Sequence, residues 1–152
     1  MSPEQRLADL GVTLPEAPRP AAAYVGVART GDLLYTAGQV AADAGTLVAS
    51  GRVGAEVDLD AARACARQCA LNVLAQLAAE LGDLGRVTRV VKLTVFVASA
   101  EDFTEHHLVA NGASELVAEV FGDRGLHARS AVGVARLPLD SPVEVEAIVE
   151  VA

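Results

Sequence analysis

The sequence predicts an α+β domain in which one mixed sheet carries two helices on one face. Three observations lead there: two long segments of helical period, five strand-like runs arranged around them, and a length of 152 residues that suits one domain. The expected order is β-β-α-β-α-β-β, with no internal repeat at solenoid period.

The first 20 residues read as an N-terminal extension with a short helix. Ser2 is its N-cap, Pro3 its first residue and Gln5 the capping-box partner. Pro15, Pro18 and Pro20 then enforce an extended connection. Ala22 to Arg29 and Leu33 to Gln39 predict two strands joined at Thr30-Gly31-Asp32, while Asp43 to Gly54 reads as a loop or weak edge hairpin. From Leu59 to Leu81 the period turns helical, between Asp58 as N-cap and Gly82 as stop. Ala62, Ala66, Cys69, Ala70, Val73, Leu77 and Leu81 fall on one face, and the other takes Asp60, Arg63, Arg67, Asn72, Gln76 and Glu80. Val87 to Val97 is β-branched and nearly continuous, as expected of a strand covered on both faces. Ser99-Ala-Glu-Asp102 resembles a capping box opening a second helix toward Phe121, with Gly122 as its end. Ala128 to Arg136 and Val143 to Val151 predict the last two strands, separated by residues 137–142.

Hydrophobic residues reach 52% with only 3% aromatic, so Val, Leu and Ala must build the core. That much small apolar surface exceeds what a lone domain hides and points to buried subunit contacts. A net charge of −8, with one Lys and eleven scattered Arg, argues against a nucleic-acid or anionic-membrane surface. No segment has the length and apolarity of a membrane span, and the N-terminus lacks a signal-peptide pattern. Cys65 and Cys69, four apart on one helix face, read as buried thiols of a cytoplasmic protein. A metal site would need two further ligands nearby, and His106, His107 and His127 have no ligand spacing. Nucleotide-binding glycine loops and a nucleophile elbow are also missing, so no metal or cofactor is expected.

One constellation remains. Arg129 opens one strand, and Glu144 and Glu146 begin the next. A guanidinium fork suits a carboxylate, and a Glu nearby can take a proton from water. A surface Arg beside a solvated acidic strand face would look the same in sequence. Spacing adds a constraint: were these strands a simple hairpin, Glu144 would lie about 20 Å from Arg129 at roughly 3.3 Å per residue. A shared site therefore requires strands that are not direct neighbours, or a meeting across a subunit boundary.

The segment from Ala128-Arg-Ser-Ala-Val through Ala135-Arg-Leu-Pro138 to Val143-Glu-Val-Glu-Ala-Ile148 resembles the C-terminal signature of the RidA/YjgF family. Tyr24, Tyr35-Thr-Ala-Gly38-Gln39 and Val91-Lys-Leu-Thr-Val-Phe-Val97 match in order, so the resemblance runs from about residue 20 to the end. It implies a chorismate-mutase-like fold and a homotrimer with a ligand cleft at each subunit boundary. It further implies hydrolysis of enamine and imine intermediates to 2-keto acids without a cofactor. On this resemblance Arg129 binds the substrate carboxylate and Glu144 holds the hydrolytic water. Tyr24 lines the pocket, and Gly38 offers a backbone N–H. Ala131 stands where many members carry Cys, and His107 aligns with a frequent Asn. The helical region is also longer than in the shortest members, which marks a divergent branch. Two other functions stay open: ligand binding or sensing in the same cleft without turnover, and RNA cleavage or translation inhibition, which the net charge disfavours.

Overall fold

The computed structural model describes all 152 residues. Helix α1 (Pro3–Asp9) is followed by strands β1 (Val27–Thr30), β2 (Leu33–Thr36), β3 (Gln39–Val40), β4 (Ala42–Asp43) and β5 (Thr46–Leu47). Then come α2 (Leu59–Leu81), β6 (Val87–Ala98), α3 (His106–Phe121), β7 (Ala128–Val134) and β8 (Val143–Val151). The main sheet runs β1-β2-β8-β6-β7, with β3 also pairing with β8, while β4 and β5 form a separate small hairpin. Only the β6–β7 pair is parallel, and α3 makes the crossover between them. The short N-terminal helix is where the sequence places it, and the observed order adds three two-residue strands to the expected one.

Capping chemistry sets the helix ends. The Ser2 and Gln5 side chains complete the reciprocal box at α1. The Asp58 carboxylate accepts from the Ala61 N–H, and Gly82 at φ +76° closes α2. Helix α3 departs from expectation. It begins at His106 behind Glu105, which makes no side-chain cap, and the Ser99 hydroxyl instead bonds His106 Nε2 at 3.0 Å. A tertiary partner has taken the group that local spacing assigned to a cap. The first strand is likewise shorter than expected, because residues 22–26 form no ladder.

The two helices cover one face of the sheet over a core of 32 buried residues. Burial along β6 alternates, so it is covered on one face by this chain rather than on both. Lys92, Thr94 and Phe96 of β6, with Glu146 and Ile148 of β8, face away from the helices. Beside them Tyr35 and Val132 remain 42% and 43% exposed.

Asn72 and Gln76, on the polar face in the helical projection, are in fact only 1% and 7% exposed. The Asn72 amide donates to the carbonyls of Val40 and Ala42 at 3.0 and 2.8 Å, and Gln76 donates to the Pro18 carbonyl at 2.6 Å. Pro18 lies in a segment without regular structure, and Val40 and Ala42 stand at the corner between two two-residue strands, so their carbonyls need partners once buried. The two amides therefore fasten the N-terminal connection and the β3–β4 corner to α2.

Helices α2 and α3 cross closely because Gly112 sits under the Arg63 carbonyl; a Cβ there would overlap that oxygen. Two exposed pairs, Arg63–Glu115 and Arg67–Glu119 at 3.1 and 3.4 Å, flank the crossing. Such pairs contribute about 0–1 kcal/mol each, so the close approach itself must come from packing. Gly112→Ala should gain about 1 kcal/mol of helix propensity and lose more by forcing the helices apart. We expect a net destabilisation of about 1–2 kcal/mol in urea unfolding. Unchanged stability would mean that α2 shifts freely against α3.

Candidate functional site

The site is assembled from a kink where β2 gives way to β3. Tyr35 pairs with Ile148 and Gln39 with Val145, four steps against three, so one extra residue bulges from the edge of β8. The Thr36 hydroxyl fills the gap by accepting the Ala147 N–H at 3.0 Å. The bulge presses Gly38 against Glu144. A Cβ on Gly38 would lie 2.9 Å from the Glu144 carboxyl carbon and one of its oxygens. Glycine is required there by close approach.

Tyr24, Gly38 and Glu144 line one cleft of about 400 Å³, together with Gln39, Gln76 and Leu139. The connection between α1 and β1 forms one wall, held by the bond from Gln76 to Pro18. Tyr24 is 51% exposed, and its phenol oxygen accepts from the Ala21 N–H at 3.3 Å. At the rim Leu139 and Asp140 both adopt left-handed backbone, at φ +61° and +65°, and Leu139 projects 74% exposed. Consecutive non-glycine residues in that region cost about 1–2 kcal/mol each. The Arg136–Asp140 ion pair and a bond from Gly51 N–H to the Asp140 carbonyl hold the turn.

No protein group donates a hydrogen bond to the Glu144 carboxylate. Burial, and second the neighbouring Glu146 charge, raise its carboxyl above the ordinary glutamate value. Such a group is a better proton acceptor than a solvated carboxylate.

Arg129 lies elsewhere. It pairs in register with Leu93 of β6, whereas Glu144 pairs with Phe96 on the other side of the same strand. Two strand spacings and three residue positions separate them, roughly 14 Å, and alternation sends their side chains to opposite faces. The Arg129 guanidinium turns toward α3. It donates from Nη1 to Asn111 Oδ1 at 2.9 Å and Ser114 Oγ at 3.1 Å, and from Nη2 to the His107 carbonyl at 3.0 Å. No carboxylate neutralises it, since the ion pairs of the chain lie elsewhere. Ala131, two residues on, packs partly buried against the core, and the His107 ring is exposed.

The structure thus brings Tyr24, Gly38 and Glu144 together, and groups Arg129 with the His107 backbone and Ala131 on a second surface. Sequence reading missed Asn111 and Ser114. Their spacing from His107, one and two helical turns, was the available signal. No three His, Cys, Asp or Glu side chains converge on a metal-sized site, and both cysteines are buried free thiols. No helix is long and apolar enough to cross a membrane.

The raised Glu144 carboxyl has a consequence for stability. Its folded form binds a proton more tightly than its unfolded form, so stability is lost as pH rises from the ordinary glutamate range through the raised value. Glu144→Gln removes that loss. Its melting temperature should exceed that of the wild type at neutral pH, and the gap should close as pH falls below the ordinary glutamate range. A gap that widened in acid would mean that the carboxylate is stabilised where it sits.

The family model described as Endoribonuclease L-PSP matches residues 14–151. Protein TCP17 of Trypanosoma cruzi is 49% identical over 142 residues, covering 93% of this chain and 89% of that protein. A solved structure of a putative endoribonuclease from Shewanella oneidensis superposes with a TM-score of 0.97 at 31% identity, covering 99% of this chain and all of that one. Escherichia coli TdcF with bound serine superposes at a TM-score of 0.60 and 27% identity, covering 90% and 94% of the two chains. With the signature around Arg129 and Glu144 set in this mixed sheet, the chain belongs to the RidA/YjgF/TdcF/RutC family.

Proposed function

We propose that this protein hydrolyses 2-imino acids, formed by tautomerisation of enamines, to 2-keto acids at a site shared between two subunits of a homotrimer. The observation that carries this reading is a matched pair of unfulfilled groups. Arg129 holds a guanidinium with no carboxylate partner, and Glu144 holds a carboxylate that no protein donor engages. They lie on separate surfaces of one subunit and cannot serve one small ligand there. The uncovered sheet face between them supplies the surface on which another copy can pack.

In such a site Arg129 grips the substrate carboxylate by its planar fork. Gly38 offers its backbone N–H, and Tyr24 lines the wall of the cleft. Enamine substrates first take a proton at C3 and become imines. Glu144 accepts a proton from water as the water oxygen bonds to C2, and the C=N π electrons move to nitrogen. Return of that proton to nitrogen gives the carbinolamine; the C2 hydroxyl then passes its own proton by way of Glu144 to the amino nitrogen as the C–N bond breaks, which releases ammonia and leaves the keto oxygen. Every step uses water, substrate and one carboxylate. No cofactor is required. TdcF holding serine supports a carboxylate ligand for this fold, and also suits the reading in which the cleft binds without turnover. The family model's description favours RNA cleavage, but −8 net charge and scattered Arg make a poor phosphate surface. Free buried thiols fit a reducing cytoplasm.

Light scattering should give three times the chain mass, and a clean monomer would remove the shared site. With an imino acid generated in situ, Arg129→Lys should lose most turnover by losing the fork. Glu144→Gln should lower kcat by about two to four orders of magnitude while keeping 2-keto-acid binding. Co-refolding the two inactive variants in equal amounts should restore roughly a quarter of wild-type activity, because one boundary in four regains both residues. No recovery in mixed trimers would place both residues in one subunit's site or in none.

A further inference from the structure

Beyond Arg129 itself, a chain of polar groups runs behind it that the proposed chemistry leaves unused. His127 Nδ1 lies 2.6 Å from the Gly125 carbonyl, and its Nε2 lies 2.9 Å from Ser114 Oγ. The same Ser114 oxygen receives Arg129 Nη1 at 3.1 Å. For a neutral imidazole, elementary donor and acceptor rules place every proton in this chain. A carbonyl only accepts, so His127 carries its proton on Nδ1. A guanidinium only donates, so the Ser114 oxygen accepts from Arg129. The one serine proton then goes to His127 Nε2. All members are half-buried, and none is matched to an acid.

The consequence falls on the guanidinium. Nη1 spends both protons, on Asn111 and Ser114, and Nη2 spends one on the His107 carbonyl. Nε–H and one Nη2–H have no partner in the protein, and Nε and Nη2 share one edge of the guanidinium plane. With the His107 carbonyl on the Nη2 proton next to Nη1, that edge presents two parallel donors, the geometry a carboxylate takes bidentately. A serine hydroxyl free to rotate would let the plane swing, whereas one whose proton is held by His127 keeps a lone pair aimed at Nη1.

We infer that Ser114 and His127 are positioning residues, which lock Arg129 with its Nε–Nη2 edge toward the substrate carboxylate. This inference rests on the reading of Arg129 as the carboxylate anchor. His127 precedes Arg129 by two residues, just ahead of β7, and both side chains turn toward α3, where they meet at Ser114. Ser114 stands one turn beyond Asn111 on the helix surface they meet.

The test compares Ser114→Ala, His127→Ala and His127→Gln with the wild type and Arg129→Lys. Each is measured for imine hydrolysis and for 2-oxobutanoate binding by calorimetry, with trimer content and melting temperature recorded. Ser114→Ala and His127→Ala should raise KM and the 2-oxobutanoate Kd together by about five- to tenfold, with kcat held within about twofold. His127→Gln, whose amide oxygen can accept the Ser114 proton, should restore most of the affinity. An imine substrate whose carboxylate is replaced by a neutral amide should be processed alike by wild type, Ser114→Ala and His127→Ala. Lower melting temperature with unchanged KM would overturn the inference by giving the chain a purely structural role. So would equal loss on the carboxylate and amide substrates. If Arg129→Lys binds 2-oxobutanoate like the wild type, the anchor reading fails as well. If Arg129→Lys loses binding while Ser114→Ala keeps it, only the positioning role falls.

Discussion

Strand β6 hydrogen-bonds to β8 along one side and to β7 along the other, and the second pairing is parallel. A parallel neighbour cannot be reached by a tight turn, so the chain must cross over through α3 before laying down β7. That crossover places α3 against the first half of β7, where Arg129 finds Asn111, Ser114 and the His107 carbonyl. The antiparallel side of β6 gives β8 a partner on the opposite flank, leaving its other edge for β2 and the bulged β3. Glu144 and Gly38 meet only because of that bulge. The two halves of the candidate chemistry are thus separated by the strand that organises both.

The apolar composition works with this topology. With so few aromatics, contacts between α2, α3 and the sheet are made by Ala, Val and Leu, and close packing replaces bulk. Cys65 and Cys69 take part as small apolar residues. Burial raises both thiols, Cys69 the more strongly, which keeps them unreactive. Polar groups enter this interior where backbone must be satisfied, as with Asn72 and Gln76.

Much of this was legible in the sequence because it is local. Asp58 and Gly82 bracket α2 at its observed ends, and alternating residues 143–151 mark β8 without error. Sequence spacing also showed that a simple hairpin could not unite Arg129 with Glu144. Features set by tertiary partners were not legible. Ser99 had the spacing of a cap but found His106 instead. Asn72 and Gln76 had the spacing of a solvated face but found carbonyls. The uncovered face of β6 could not be told from a doubly covered one, because an apolar run has the same composition whether a helix or another copy of the chain covers it. Asn111, Ser114 and His127 carry no motif, and their convergence depends on how α3 lies across β7.

Gly112 lies on α3 between Asn111 and Ser114, one face of the helix against α2 and the neighbouring face toward Arg129. The depth to which α3 sinks against α2 therefore sets the stand-off of the groups that cradle the guanidinium. Stand-off in this protein is in that sense a thickness. Substitutions along the α2–α3 seam give evolution a screw-thread for setting where the guanidinium sits without altering Arg129 or the groups that touch it.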